Sequence, residues 1–311
     1  MYLLRKPILA VSGSAKVRAA TVGMPLTRSV VQRFVAGETT ADAVAAVAAL
    51  RSDGLLATLD HLGENTTSAA QADATVAAYL EVLEALDGAG LAAGTEVSVK
   101  LSAVGQSLPD RGADIALAQA GRIADAAGAV GARMTVDIED HTTIDSTLGI
   151  VAALRAPHPD VGVAIQAMLR RTPGDLAGLV GPGSRVRLVK GAYDEPAAAA
   201  YQGPAEVDLA YVRNLKTLMA GDGYPMVGSH DPRMIEIADR LAREYGRGLD
   251  TFEHQFLYGI RTDAQRSLAA AGRTVRVYVP YGTDWYGYFT RRLAERPANL
   301  TFFLRALISR N

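Results

Sequence analysis

The stretch TVRVYVPYG at residues 274–282, followed by DWYGYFTRRLAE at residues 284–295, decides how this chain is expected to fold. The first part predicts a strand that ends in YVPYG, because β-branched and aromatic residues favour strands and Pro and Gly interrupt them. The second part predicts a helix, in which Tyr288, Arg291, Arg292 and Glu295 fall at i, i+3, i+4 and i+7 on one face. A strand that leads into a helix is the repeating unit of an alternating β/α fold.

The same unit recurs along the chain. Short β-branched or aliphatic runs, separated by helical segments, give eight strand candidates at residues 55–60, 96–102, 133–139, 161–168, 185–191, 225–230, 251–256 and 274–280. Several are continuous apolar runs, which are typical of parallel strands buried on both faces. Helices are predicted before them, at residues 27–36 and 40–52. We therefore predict an N-terminal helical segment at residues 1–52 and a (β/α)8 TIM-like barrel at residues 53–311.

The composition limits the classes of partner and site. The chain has 311 residues, with 32 Lys and Arg against 33 Asp and Glu, so it lacks the basic excess of nucleic-acid-binding proteins and no nucleic-acid partner is expected. With no cysteine, disulfides, thiolate metal ligands and thiol catalysis are excluded. The histidines show no paired metal-binding spacing, so no catalytic metal is expected. No run is long enough for a signal-peptide core or a membrane span, which predicts a cytoplasmic protein.

Polar residues stand at the predicted strand ends, where barrel enzymes carry their catalytic groups. They are Asp60, Lys100, Asp137, Glu139, Gln166, Arg187, Lys190, His230, Glu253, Gln255 and Tyr278. Asp137 and Glu139 alternate along a strand and face the same way, so a buried carboxylate pair there needs basic partners. Lys100, Arg187 and the arginine pair would supply them. Two simpler interpretations stay open, namely that Lys100 reaches solvent from a strand end and that His230 belongs to a loop or helix cap.

The adjacent pair Arg291-Arg292 is the strongest candidate binding feature. Two guanidiniums on one helix face can hold a planar carboxylate or phosphate through paired hydrogen bonds. The alternative is a solvated helix face with salt bridges, and the helix alone does not decide between the two.

Five segments carry a resemblance to a known family: VKLS at Lys100, VDIE at Asp137, IQAMLRRT at Gln166, RLVKGAY at Arg187 and YGYFTRRLAERPAN from Tyr286. In this order, over roughly residues 55–306, they resemble the proline dehydrogenase family. The length leads us to expect the stand-alone bacterial type, without a fused aldehyde dehydrogenase. One departure is Ser229, where the family more often has threonine; the hydroxyl is kept, so only the contacts to adenosine are in question.

The resemblance implies a flavoprotein of proline catabolism. Such an oxidoreductase uses FAD to oxidise L-proline to Δ1-pyrroline-5-carboxylate by hydride transfer from C5 to flavin N5, and passes the electrons to a quinone. A separate pyrroline-5-carboxylate dehydrogenase would act next. The location would be cytoplasmic, with peripheral contact to the inner face of the cell membrane left open. No Gly-x-Gly-x-x-Gly nucleotide motif supports FAD binding here, because the glycines at residues 181 and 183 precede a strand and indicate a turn.

The resemblance also assigns roles. Asp137 and Arg187 would be catalytic, with Arg187 near flavin N5 and Asp137 orienting Tyr278 or Arg292. The substrate residues would be Lys100, Tyr278, Tyr288, Arg291, Arg292 and Glu295. The FAD residues would be Ile138, Gln166, Arg187, Lys190, Gly191, Ala192, Ser229 and His230. For Arg187 the structural alternative is simple pairing with Asp137 or Glu139.

Two other classes of function are compatible with the strand-end residues. A barrel aldolase would use Lys100 or Lys190 as a Schiff-base nucleophile. A non-catalytic barrel would bind an amino acid and reduce no dye. Flavin bound to the purified protein would distinguish a dehydrogenase from both the aldolase and the non-catalytic barrel.

Overall fold

The computed structural model describes residues 31–288. In that range, eight parallel strands close into a barrel, each paired with the next in chain order and the last with the first. They are β1 (Leu56–His61), β2 (Glu96–Val99), β3 (Arg133–Val136), β4 (Gly162–Gln166), β5 (Arg185–Val189), β6 (Tyr224–Gly228), β7 (Glu253–Leu257) and β8 (Val275–Tyr281). The predicted (β/α)8 TIM-like barrel is confirmed.

The helices alternate with the strands. They are α1 (Thr40–Ser52), α2 (Ala69–Gly88), α3 (Gly112–Ala129), α4 (Ile144–Arg155), α5 (Thr172–Leu176), α6 (Pro204–Ala220), α7 (Pro232–Glu244) and α8 (Thr262–Ala270). A short 3-10 helix, Leu101–Val104, follows β2 and ends that strand earlier than predicted. Residues 285–288 are helical and begin the predicted arginine-bearing helix.

Helix α1 covers the seam where β8 pairs with β1. Thr39 caps the helix, since its hydroxyl accepts from the Asp42 N–H while the Asp42 carboxylate accepts from the Thr39 N–H. The face that packs on the barrel carries the buried residues Ala43, Ala46, Val47 and Leu50, which join the main hydrophobic core. The predicted helix at residues 27–36 falls partly outside the described residues, and its described part ends in a turn closed on Val31 O. The division at residue 52 stays a prediction.

A second hydrophobic cluster closes one end of the barrel. It joins Val31, Phe34 and Val35 with Leu62 after β1, Ile260 after β7, and Trp285, Tyr286 and Tyr288 after β8. Leu62 and Ile260 belong to loops that leave the carboxyl ends of their strands. The chain that follows β8 therefore starts against the mouth where barrel enzymes bind their substrates.

The interior of the barrel is more polar than the predicted apolar runs suggest. In β2, Glu96 and Ser98 alternate with Val97 and Val99, and every residue of the strand is buried. Because successive side chains face opposite sides of a strand, the valines pack outwards against helices while the polar residues face the barrel axis. The axis of this barrel is thus lined in part by charged groups.

Candidate active site

Strands β1, β2, β3, β5 and β8 bring five predicted residues together: Asp60, Lys100, Asp137, Arg187 and Tyr278. The prediction that all five stand at carboxyl strand ends holds for the first three, but Arg187 lies in the middle of β5 and Tyr278 in the middle of β8. Arg187 Nη1 lies 2.8 Å from Asp137 Oδ1, and the Tyr278 hydroxyl donates to Asp137 Oδ2 at 2.6 Å. Lys100 Nζ lies 2.6 Å from Asp60 Oδ1 and 3.8 Å from Asp137 Oδ2. The expected contact between Asp137 and Tyr278 is therefore present, and Asp137 joins both cations to one phenol.

The Arg187 guanidinium is buried and held from several directions. Its Nε donates to Gln255 Oε1 at 2.6 Å, and its Nη2 donates to Glu96 Oε1 at 2.8 Å. Its Nη1 donates to Ser98 Oγ and to Asp137 Oδ1, both at 2.8 Å. An arginine has five N–H groups, so one is left without a hydrogen bond to the described residues. A cation held this rigidly keeps its position when a ligand binds.

Lys100 is a charged residue in a buried setting. Burial favours the neutral amine and lowers the pKa of Lys100, but the carboxylates of Asp60 and Asp137 outweigh burial and raise that pKa above its ordinary value. Burial also raises the pKa of Asp60, and the Lys100 charge opposes this effect. Lys100 is thus protonated at neutral pH and presents a positive charge at the mouth of the barrel.

A second group of charges lies deeper along the axis, and its members Glu96, Arg185 and Arg276 were not predicted from the sequence. Glu96 contacts Arg185 and Arg187, and Glu253 forms a bidentate pair with Arg276, whose Nε lies 2.8 Å from Glu253 Oε1. Burial alone would raise the pKa of Glu96, but the charges of the surrounding arginines outweigh it and lower that pKa to about 2. Glu96 is therefore ionised at neutral pH, and its carboxylate supports Arg187 from below.

The prediction that Glu253 stands at a carboxyl strand end was wrong. Thr251 closes a turn, because its N–H and hydroxyl both donate to Gly248 O, and β7 begins only at Glu253. Glu253 therefore lies at the amino end of β7, inside the barrel, and Gln255 lies in the middle of that strand.

Glu139 is held differently from the prediction. Its carboxylate accepts from the Ser102 backbone N–H at 3.1 Å and from the Ser102 hydroxyl at 2.6 Å, and no basic side chain in residues 31–288 forms a salt bridge with it. Burial raises the pKa of Glu139, partly offset by these hydrogen bonds. Serine donors after β2 thus replace the expected basic partners.

Gln166, the last residue of β4, and Gly191, just after β5, lie side by side. The Gln166 amide donates to Glu139 O at 2.5 Å, while its Oε1 is buried and has no hydrogen-bond partner among residues 31–288. Gly191 has φ +115°, and a Cβ there would lie 2.5 Å from Met168 Sδ and 2.9 Å from Gln166 Oε1. A buried acceptor without a donor costs free energy unless a ligand supplies one. The pair therefore fits a planar group that carries an N–H.

The remaining FAD candidates are Lys190, Ser229, His230, Ile138 and Ala192. Lys190 forms ion pairs with Asp208 and, at 3.2 Å, with Asp231. Ser229 Oγ accepts from the Asp231 N–H, and His230 Nε2 accepts from the Leu257 N–H. Ile138 is buried after β3, and Ala192 follows Gly191.

Of the substrate candidates, Tyr288 is buried in the second hydrophobic cluster. Arg291, Arg292 and Glu295 lie outside the described residues. Within residues 31–288, no group of three or more metal-ligating side chains is placed to hold a metal ion. Over the same range, no helix is both long enough and apolar enough to cross a membrane.

Comparisons with known proteins identify the relatives of this chain. A family model described as proline dehydrogenase matches residues 43–305. Proline dehydrogenase from Deinococcus radiodurans is 40% identical over 310 residues, 98% of each chain. Proline dehydrogenase 1 from Bacillus subtilis strain 168 is 36% identical over 284 residues, 91% of this chain and 92% of the relative.

Solved structures share the barrel. The crystal structure of proline utilization A from Bdellovibrio bacteriovorus superimposes with a TM-score of 0.79 at 23% identity, covering 91% of this chain and 34% of that protein. This likeness shows the fold, and the chain spans about a third of that larger protein. Because the family model covers most of the chain and stand-alone relatives match it over almost their full length, the chain belongs to the proline dehydrogenase family.

Proposed function

We propose that this chain oxidises L-proline to Δ1-pyrroline-5-carboxylate with FAD as cofactor, at the carboxyl ends of the barrel strands. Family membership supports the reaction. The observation that carries it is the group of Lys100, Asp137, Arg187 and Tyr278, in which both cations are buried. This group presents fixed positive charge beside an aromatic ring. It therefore suits a substrate that combines a carboxylate with a small apolar ring.

The residues at the mouth fit a flavin. Gln166 Oε1 lacks a donor among the described residues, and the isoalloxazine ring carries an N–H that could supply it. Gly191 keeps the backbone accessible beside that oxygen, where a side chain would collide with Met168. Lys190, Ala192, Ser229 and His230 would hold the ribityl, phosphate and adenosine parts, and Ile138 would pack against the ring. A bound FAD would supply the hydride acceptor for the oxidation of proline.

The protein contributes position and electrostatics. Lys100 would bind the proline carboxylate with Arg291 and Arg292, and Glu295 would fix the two arginines. Tyr278, held by Asp137, would pack with Tyr288 against the proline ring. Arg187 would stabilise the negative charge that develops during the reaction, because its hydrogen bonds fix it before the substrate arrives. No strong general base is needed if the proline amine loses its proton before binding.

The Schiff-base alternative is less well supported. A nucleophilic lysine needs a lowered pKa. The two carboxylates near Lys100 raise its pKa instead, and Asp60 holds its Nζ at 2.6 Å. Lys190 is likewise paired with two aspartates. Treatment with borohydride in the presence of substrate would trap a lysine adduct only if the aldolase interpretation were correct.

The electron acceptor and the next enzyme belong to the same proposal. A membrane quinone would reoxidise the flavin, which requires contact with the inner face of the cell membrane by an otherwise cytoplasmic protein. A separate pyrroline-5-carboxylate dehydrogenase would consume the product. Turnover of L-proline with a water-soluble quinone, and product identification by NMR, test the reaction. Absence of the pyrroline product with active, folded protein would refute it.

Gly191→Ala should weaken FAD binding about tenfold, equivalent to about 1.4 kcal/mol. A side chain at φ +115° costs about 1–2 kcal/mol, and its Cβ would push Met168 and Gln166 from their places. Gly183→Ala is the matched control, because Gly183 also has a left-handed φ, +77°, but no atom lies near its added Cβ. FAD dissociation constants measured by fluorescence should change only for Gly191→Ala. Equal changes in both variants would contradict the assignment.

Arg291→Lys and Arg292→Lys should each raise the KM for L-proline while FAD stays bound. Lysine keeps the charge but loses the planar fork, and losing one charge-assisted hydrogen bond costs about 1.5–3 kcal/mol, roughly tenfold to a hundredfold in affinity. Arg111→Lys serves as the control, because Arg111 is exposed and pairs only with its neighbour Asp114 in the described structure. Unchanged proline kinetics in both the Arg291→Lys and the Arg292→Lys variants would show that these arginines do not bind the substrate.

A further inference from the structure

We infer that Gln255 is the positioning residue for Arg187, and that it thereby helps set the reduction potential of the flavin. This inference rests on the proposed function, in which the Arg187 charge acts on bound FAD. Gln255 lies on β7, one layer below the mouth of the barrel, and only 5% of its surface is exposed. No role for this position follows from the strand-end pattern alone.

The chemistry of its neighbours determines which way the Gln255 amide points. Its Oε1 accepts from Arg187 Nε at 2.6 Å, and its Nε2 donates to Glu253 Oε1 at 2.5 Å. A guanidinium can only donate and an ionised carboxylate can only accept, so the reverse orientation would leave both contacts repulsive. Among uncharged side chains, an amide of this length can serve a cation on one side and an anion on the other.

Gln255 binds the Arg187 guanidinium from the side opposite to its other hydrogen-bond acceptors. Glu96 and Ser98 lie on β2 and Asp137 directly follows β3, so these three acceptors draw the guanidinium towards one side of the barrel. Gln255 lies on β7, across the axis from them, and is the hydrogen-bond acceptor that holds Nε on that side. The Tyr278 ring, 5.3 Å from Arg187 Cζ, adds a weaker contact from β8. Without Gln255, the guanidinium is expected to shift towards β2 and β3.

Gln255 also separates Arg187 from a negative charge. Glu253 is paired with Arg276 through both carboxylate oxygens, and Gln255 stands between that pair and Arg187. A carboxylate at position 255 would still accept from Arg187 but would offset its charge and repel Glu253. The neutral amide therefore fixes the position of Arg187 without adding a third carboxylate to Glu96 and Asp137.

Gln255→Leu and Gln255→Glu test this inference in the FAD-loaded protein. Both variants should retain FAD, yet flavin reduction by L-proline should slow by about tenfold to a hundredfold, the range typical of groups that orient a site residue. Both should also lower the flavin potential measured by spectroelectrochemical titration, and Gln255→Glu should lower it further because it adds charge. Thermal unfolding monitored by circular dichroism checks that both variants fold.

Gln265→Leu is the matched control. Gln265 is equally buried, 1% exposed, and its amide donates to backbone carbonyls near Ile260 rather than to the charged network. This variant should lose stability without changing the potential or the reduction rate. A wild-type potential and rate in both Gln255 variants would overturn the inference, as would loss of FAD from both. If the wild-type flavin itself is not reduced by L-proline, the proposed function fails instead.

Discussion

Arg187→Met should slow reduction of the bound flavin by L-proline about 10²–10³-fold, the range typical for loss of one preorganised donor at a reacting centre. The variant should keep most of its FAD but show a lower flavin potential. The reason is that a cation held by Glu96, Asp137 and Gln255 needs no reorganisation when negative charge develops nearby. Stopped-flow absorbance gives the rate, and spectroelectrochemical titration gives the potential.

Arg185→Met distinguishes this role from a structural one. Arg185 lies on the same strand, is also buried, and shares the partner Glu96 with Arg187, but stacks on Tyr224 deeper in the barrel. Loss of either arginine should lower stability, because each leaves Glu96 with one cation fewer. Only Arg187→Met should change the potential and the reduction rate. Equal effects of the two variants on both quantities would show that Arg187 acts as a structural residue alone.

Arg276→Met should lower the free energy of unfolding by about 3–5 kcal/mol, the usual cost of removing one partner from a buried ion pair. Arg276 and Glu253 are both almost fully buried, and the variant leaves the Glu253 carboxylate without its bidentate cation. Gln255 and Tyr224 still donate to that carboxylate but do not neutralise it. Urea unfolding followed by circular dichroism measures the loss.

The double variant Glu253→Gln with Arg276→Met should recover part of that stability. It removes the unpaired charge, which is the main cost, but Ala57 O and Gly94 O still lose the donor that Arg276 supplies. A single Arg276→Met variant as stable as the double variant would contradict a strong buried pair.

The fold could be predicted from the sequence because strands and helices each have a characteristic spacing of apolar residues, and that spacing can be read from short segments of the chain. Strand runs and helical segments alternate, and right-handed βα connections leave few topologies for eight parallel strands. The strand ends were less well predicted. Lys100 leaves β2 because a 3-10 helix begins after it, and that choice depends on packing beyond the strand. The start of β7 was mispredicted for the same reason: Thr251 forms a turn with Gly248, so the strand begins two residues later, at Glu253.

Only the part of the candidate site around Asp137, near the mouth of the barrel, could be predicted from the sequence. Lys100 and Asp137 could be named because they stand where strands end, and Arg187 and Tyr278 because they are polar residues within apolar strand runs. The deeper ion network carries a readable signal as well, since Arg185 and Arg187 alternate with valine and leucine along β5. The sequence does not show which residues pair. Arg187 and Glu96 are 91 residues apart and meet only because the closed barrel turns the side chains of β2 and β5 into one interior.

The central claim is that this barrel binds a flavin that L-proline reduces. Purified protein should be yellow, and anaerobic addition of L-proline should bleach the visible absorbance of its bound FAD, with Arg187→Met bleaching far more slowly. A reconstituted FAD complex whose absorbance does not change with L-proline, although dithionite reduces it, would contradict the account.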